Sequence, residues 1–420
     1  MKITTVKRKS TQPKVNQNIP SHGIQKEEIL GKRFRGSPTV RILLPVMIIS
    51  LGVFLRCFCL SADRPFNVFP NQSVSVEGRD IHDVNSDPDQ YTSFARSKAL
   101  FGSWDPFGRN IVLCLNSALT LISFLFFKLV GVGRWQANFV AAILSSLTLI
   151  FFYLAIKKGK DDRTAIFATF FLGFNYLALM YGRSTFSEVP VIFFCVLGFY
   201  LLVSGMKRGW LLIPSGACFA CAIVFAKMLA VFILPVCLGV MVLSTRDQFP
   251  AKLRRTRFPP VLLFVVGFLA VMLPWFLIIY YPSAGNVSGY IYSMSVGLHG
   301  SPRGLHSLSD FVCSLFSFGG VSRVLVSKKY SLGTDLFYRM PFLFILSLLF
   351  LLSYSFSIRG VKRILENLRS CSRLELFFTL WFVLGILALM PWNYRPLRYQ
   401  VLLIPPMCAL GALYLVDFLN

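Results

Sequence analysis

The chain has 420 residues, 55% of them hydrophobic and only 15% charged, with a formal charge of +25. Apolar runs of membrane-spanning length recur along it, which excludes a soluble domain and predicts an all-α polytopic membrane protein. Its basic residues cluster in short loops between those runs, as the positive-inside rule expects, so the charge makes no case for nucleic acid.

Residues 1–41 are polar and basic, with Lys2, Lys7, Arg8 and Lys9 at their start and only Glu27 and Glu28 as acids. They read as a disordered cytoplasmic tail; they are too long before the first apolar run for a cleavable signal, and no small-residue cleavage site follows. The remainder, 42–420, reads as one transmembrane domain. Its first span, 42–60, runs outward and makes 61–135 the first outer loop.

That loop carries the acid-rich stretch Asp83-Val84-Asn85-Ser86-Asp87-Pro88-Asp89-Gln90-Tyr91. Asp87 suits a helix N-cap, Pro88 the first helical position, and Gln90 completes a capping-box spacing; Tyr91, Phe94 and Ala95 follow, and Gly102 closes the helix. A carboxylate fixed at a helix start is also preorganised for chemistry. Residues 111–130 are apolar enough to cross, but crossing would carry Lys157, Lys158, Lys160 and Arg163 outside. Asn116, Thr120 and Ser123 share one helical face, so this segment is expected to be interfacial or re-entrant.

With that choice the spans alternate: 136–156 inward, 164–181 outward, 188–205 inward, leaving Lys207 and Arg208 inside. The run 211–244 would be about 51 Å long as one helix, so it must cross twice, with a turn near Lys227, its only charge. Span 258–280 leads to a second long outer loop, 281–339; spans 340–357, 374–391 and 400–419 complete a count of ten. More than half of the 43 Lys and Arg fall on the inner side, whereas most acids gather on the outer. Cysteines such as Cys195 and Cys237 lie inside apolar runs as small hydrophobes, and Cys218-x-x-Cys221 lacks the second pair that a zinc site needs.

Glu188 lies in the outer turn Tyr181-Gly182-Arg183-Ser184-Thr185-Phe186-Ser187-Glu188-Val189-Pro190, at a depth where an ionisable group is costly and faces a partner or a cavity. The plain structural reading is an ion pair with Arg183 that closes the turn. Lys227 and the turn Arg395-Pro396-Leu397-Arg398-Tyr399 bring cations to the same side, where snorkelling and interfacial anchoring are the plain alternatives. Together these residues place carboxylates and cations around one outer cavity, which suits a phosphate-bearing lipid and an acceptor that must lose a proton.

In order and spacing over about residues 40–420, the set resembles the polyprenyl-phosphate-dependent glycosyltransferases of the GT-C fold, particularly the protein O-mannosyltransferase and aminoarabinose transferase group. The motifs are the Asp-Pro-Asp-Gln-Tyr loop, Phe94-Ala95-Arg96, Gly102-Ser103-Trp104-Asp105-Pro106, Arg183 with Glu188-Val189-Pro190, Phe225-Ala226-Lys227 with Leu234-Pro235, and Leu397-Arg398-Tyr399 with Ile404-Pro405. The resemblance implies a sugar on a polyprenyl phosphate as donor and a lipid, glycan or protein acceptor. It makes Asp89 the catalytic carboxylate, Asp87 its alternative, Glu188 an orienting group, and Lys227, Arg398 and Tyr399 the donor-phosphate site. Gln90 stands where the family commonly has Glu; a divalent cation is allowed by the resemblance rather than demanded. Family members often continue beyond the last residue here, so a further C-terminal part is compatible. The implied location is a cell membrane, the inner one in a bacterium, with the N-terminus cytoplasmic. Two other functions compete: a transporter or lipid flippase, which would carry ionisable residues near the midplane of several helices, and a catalytically inactive relative, suggested by Gln90.

The charge map makes a direct topological prediction. Single-cysteine variants at Asn85 or Gly300 should react with an impermeant thiol reagent from outside, and those at Lys160 or Arg254 only after permeabilisation. Labelling of position 160 from outside would reverse the assignment of 111–130.

Overall fold

The computed structural model describes residues 38–61, 87–104, 117–206, 208–226, 228–243, 260–281, 336–337, 339–356, 372–389 and 397–419. By compactness the chain divides into Met1–Leu44 and Pro45–Asn420. The first unit is described only as the opening turns of a helix; the helical bundle belongs to the second.

The helices are α1 (Pro38–Cys57), α2 (Asp87–Phe101), α3 (Ser117–Val130), α4 (Arg134–Gly159), α5 (Asp162–Phe174), α6 (Tyr176–Gly182), α7 (Glu188–Gly205), α8 (Leu212–Cys221), α9 (Ile233–Leu243), α10 (Pro260–Trp275), α11 (Pro341–Phe356), α12 (Arg373–Leu389), α13 (Leu397–Gln400) and α14 (Ile404–Leu419). Helix α1 begins at Pro38, earlier than the expected span, with proline at its first position where the missing N–H costs nothing. Among the described residues four apolar helical runs are long enough to cross a membrane: Arg134–Gly159, Glu188–Gly205, Pro260–Ile278 and Arg398–Leu419; α5 and α6, bent by 61°, make a fifth if taken as one. The other apolar helices are shorter, so the count of ten remains an expectation from the sequence. Arg398–Leu419 is 78% buried and Pro260–Ile278 only 17%, which puts the former at the centre of the bundle and the latter at its edge.

The run 211–244 is interrupted where expected. Regular α-helix stops at Cys221, a π-helical turn covers Ala222–Ala226, a 3-10 turn covers Met228–Phe232, and α9 resumes at Ile233. Its two halves pack on different partners, α8 on α7 and α10, and α9 on α12. Close approach of α8 and α10 is set by glycine: a Cβ on Gly216 would fall 2.0 Å from the Phe264 carbonyl oxygen, and one on Gly267 1.9 Å from that of Ile213. Small residues that let backbones touch are how helices associate when lipid removes the hydrophobic driving force.

The face of α3 turns out differently from the expectation. Thr120 and Ser123 are fully buried, and the Thr120 hydroxyl donates to the Tyr91 carbonyl at 2.9 Å. The two described polar residues of this face thus turn into the protein instead of facing water, which periodicity alone cannot distinguish. Tyr91, Leu119 and Val140 form one layer, and Ala95, Phe127 and Ala137 the next, joining α2, α3 and α4. The described part of this segment is fourteen residues of helix, about 21 Å; residues 111–116 lie outside the described residues. Gly102, with φ of +77°, ends α2 as its sequence position suggests.

Hydrogen bonds and ion pairs sort the helix termini into two ends. At one end Asn138 donates to the Leu60 carbonyl at 3.1 Å, joining the end of α1 to the start of α4. At the other, Lys158 donates to Ser204 at 2.7 Å, and Lys160 pairs with Glu375 at 2.8 Å. Glu375 also accepts from the Ser372 N–H while Ser372 Oγ accepts from the Glu375 N–H, a capping box that starts α12. Burial alone would lower the Lys160 pKa, but the hydrogen bond and charge of Glu375, with Asp417 and Asp161 beyond it, outweigh burial and raise it above its ordinary value.

Gly267→Leu should separate α8 from α10. Overpacking of this kind costs about 1–3 kcal/mol or more, so thermal unfolding in detergent should shift down by several degrees, whereas a leucine at the exposed Val266 of the same helix should be neutral.

Candidate active site

The turn 183–188 follows from the break at Asn175. Its side chain accepts from the Ala178 N–H at 3.0 Å and so starts α6 while ending α5. After α6, Arg183 donates to the carbonyls of Leu55 at 2.7 Å and Phe58 at 2.6 Å, which ties the turn to the end of α1. Tyr181 and Phe186 pack edge to face with centroids 5.0 Å apart. Ser187 then precedes α7, whose first residue is Glu188, so the carboxylate lies at the positive end of the helix dipole.

Glu188 is completely buried and Arg398 nearly so. The Arg398 Nε lies 3.8 Å from Glu188 Oε1, an ion-pair distance longer than a direct hydrogen bond. Ser187 Oγ donates to Glu188 Oε2 at 3.3 Å, and the Arg398 guanidinium lies over the Tyr399 ring, 5.4 Å from its centroid. A cavity of about 30 Å³ is lined by Arg56, Ser145, Gly182, Val189, Val401 and Pro405, among others; Val189 follows Glu188 in the chain, and neither Glu188 nor Arg398 lines it.

Glu188, Arg398 and Tyr399 are thus brought together from turns more than two hundred residues apart in sequence. The ion pair of Glu188 is made with Arg398, while the Arg183 hydrogen bonds to Leu55 and Phe58 go to the end of α1, a different arrangement from the expected Arg183–Glu188 closure. Asp87 and Asp89 fall in the first turn of α2, but their side chains lie outside the described residues, as does Lys227. Topology relates their surroundings: α3 packs on α2 and also on the segment Ala222–Ala226, which in turn packs on α7. The acid-rich loop 62–86 and nearly all of the second long outer loop are likewise outside the description. Among the described residues no three His, Cys, Asp or Glu side chains gather as metal ligands.

Several buried polar residues escaped the sequence reading, Arg56 and Gln400 among them. Arg56 is 1% exposed and Gln400 also 1%. The signal for Arg56 was present, since an arginine within an apolar helix marks a functional or structural constraint; for Gln400, at a short helix end, there was none.

The fold recurs in known proteins. The sequence profile of the dolichyl-phosphate-mannose-protein mannosyltransferase family matches residues 118–278. No curated protein matches the chain by sequence. Among solved structures, ArnT from Cupriavidus metallidurans bound to undecaprenyl phosphate superposes with a TM-score of 0.55 at 15% identity, over 90% of this chain and 61% of that one. The oligosaccharyltransferase of Archaeoglobus fulgidus, tethered to an acceptor peptide, gives a TM-score of 0.53 at 14% identity, over 91% of this chain and 50% of that one. The archaeal oligosaccharyltransferase AglB from the same organism, in complex with an inhibitory peptide and a dolichol-phosphate, gives 0.50 at 11% identity, over 90% and 50%. This chain therefore has the GT-C fold and is an integral membrane protein. It spans between half and about three fifths of the length of these structural relatives.

Because the pair is buried, Glu188→Gln or Arg398→Met alone leaves one charge without its partner, at a cost of about 3–5 kcal/mol. The double variant should recover much of that loss in thermal unfolding. Additive losses would mean that the two charges are not energetically coupled.

Proposed function

We propose that the chain is a membrane glycosyltransferase that moves a hexosyl or pentosyl group from a polyprenyl-phosphate donor to an acceptor hydroxyl on the outer or luminal face, with inversion. The supporting observation is the desolvated Arg398 guanidinium, fixed by Glu188 and Tyr399, at one end of a fold shared with an ArnT that binds undecaprenyl phosphate. A guanidinium out of bulk water and stacked on an aromatic ring is suited to a phosphate.

A polyprenyl phosphate is already a good leaving group, so the site needs a base for the acceptor and no acid for the donor. Asp89 takes the acceptor hydroxyl's proton as that oxygen bonds to the anomeric carbon. The bond from this carbon to the phosphate oxygen breaks, and its electron pair leaves with polyprenyl phosphate. Asp87 is the alternative base. Lys227 and Arg398 offset the charge on the departing phosphate, with Tyr399 supporting Arg398, while Glu188 orients Arg398 and sugar or acceptor hydroxyls. A divalent cation is compatible with this chemistry without being required by it. The acceptor belongs to a lipid, glycan or protein. The end bearing Lys157, Lys158, Lys160 and Arg163 is cytoplasmic by the positive-inside rule, as is the N-terminus, and in a bacterium the membrane is the inner one.

In proteoliposomes with radiolabelled polyprenyl-phosphate sugars, the wild-type protein should consume donor and release polyprenyl phosphate; a transporter would move donor without consuming it. Asp89→Asn should fold and insert normally, because Asn serves a helix start nearly as well as Asp, yet lose about 10² to 10⁴ in transfer rate, since an amide cannot act as the base. Asp87→Asn is the paired control. Full activity in both would refute the first-loop carboxylate, and loss in Asp87→Asn alone would move the base two residues earlier.

A further inference from the structure

Arg56 plays no part in the glycosyl-transfer chemistry and is almost completely enclosed in the protein. Its Nη1 donates to the carbonyls of Gly52 at 2.9 Å and Gly173 at 3.1 Å, its Nη2 to that of Leu172 at 3.2 Å, and its Nε to Ser145 Oγ at 2.8 Å. Among the described residues these partners are all neutral. An arginine with no acid to balance it is an expensive way to fill such a position.

Two of its acceptors explain the choice. The chain bends by 61° between α5 and α6, so the last carbonyls of α5 lose the amides that a continuous helix would offer them. In an apolar surrounding each needs a donor from elsewhere. Arg56 supplies donors to two of them at once, which the planar fork of a guanidinium does and an ammonium does less well. Space has been left for it by glycine: a Cβ on Gly52 would come 3.5 Å from Arg56 Nη1 and 2.7 Å from Leu149, and one on Gly182 would fall 2.3 Å from Ser145 Oγ.

A second arginine reverses the relation. Arg183, just beyond α6, donates to the carbonyls at the end of α1, the helix that carries Arg56. Each arginine therefore caps the end of a helix on the other's side, and the segment clamped between them, Asn175 to Arg183, leads directly into the turn that sets Glu188.

We propose that Arg56 is a positioning residue: with Arg183 it forms a reciprocal guanidinium clamp between α1 and the α5–α6 break that fixes the turn bearing Glu188. This rests on the glycosyltransferase reading for its effect on rate, and on geometry alone for its effect on the turn.

The test has two arms, both on the full chain in nanodiscs. In the first, amide hydrogen exchange is followed in Arg56→Lys, Arg56→Met and Ser145→Ala. Exchange should quicken in 174–188 and stay as in wild type in α4 and α14. Uniform quickening would reduce Arg56 to general stability, and no change at 174–188 would overturn the clamp. In the second, single-turnover transfer is measured per folded molecule at saturating donor. Arg56→Met should slow it by about 10- to 100-fold, the scale of a misplacement near 1 Å, with donor affinity within about twofold of wild type and partial recovery in Arg56→Lys. Added to Glu188→Gln, Arg56→Met should cost nothing further, because it acts through the same carboxylate. A double variant as poor as the product of the single losses overturns the positioning role. Should Arg56→Met fail to insert, Ser145→Ala and Arg56→Lys carry both comparisons. If wild type transfers no sugar while exchange changes only at 174–188, the glycosyltransferase reading fails and the clamp stands.

Discussion

A helix interrupted inside a bilayer leaves carbonyls and amides that water cannot reach, and each must be satisfied by the protein itself. Among the described residues such interruptions include Asn175 between α5 and α6, the π-helical turn Ala222–Ala226 and the 3-10 turn Met228–Phe232, the π-helical turn Phe276–Tyr280 after α10, and the 3-10 turn Val401–Leu403 before α14. Irregular backbone at such depth is tolerated where it is enclosed by protein or lines a cavity. Here Asn175 and Arg56 supply hydrogen bonds at the first interruption, and Arg183 at the end of α1. The same irregularity frees the chain to turn Glu188 and Arg398 toward each other.

The two ends differ in how they carry charge. At the basic end, Lys157 and Asp162 pair at 2.8 Å while each stays close to half exposed, a kind of ion pair worth about 0–1 kcal/mol. At the other end, Glu188 and Arg398 are withdrawn from water, which stabilises little when intact and costs much when broken. A chain selected for stability alone has no use for the second arrangement. It is understandable where a guanidinium must be held without bulk water beside a site that receives an anion.

Much of this was legible in the sequence. The bundle, the start and end of α7, the glycine that closes α2 and the break near residue 227 follow from apolar length, capping residues and a single charge in a long apolar run. Glu188 and Arg398 were both identifiable as misplaced charges in turns between apolar runs. Their partnership was not, because local spacing favoured Arg183, and only the packing of the segment after α13 against α6 and α7 brings Arg398 across. The inward turn of Thr120 and Ser123 was likewise hidden, since a polar stripe has the same period whether it meets water or a carbonyl. Arg56, an arginine in an apolar helix, went unread, and its meaning depends on a helix bend over a hundred residues later in the chain.

The position of these charges also bears on the rival reading as a transporter. Alternating access needs ionisable groups near the midplane on elements that rock past one another. Glu188 opens α7, and Arg398 lies in the short helix that precedes α14, so both occupy helix termini at one rim. The turn that carries Glu188 is further bound to α1 through Arg183, and through Arg56 by way of α5. Rocking α1 against α5 and α6 would have to break the buried hydrogen bonds of Arg56 to Gly173 and Leu172, which lie out of reach of water, together with the more exposed ones of Arg183. A rigid rim of this kind favours chemistry at a fixed site over passage through a moving one.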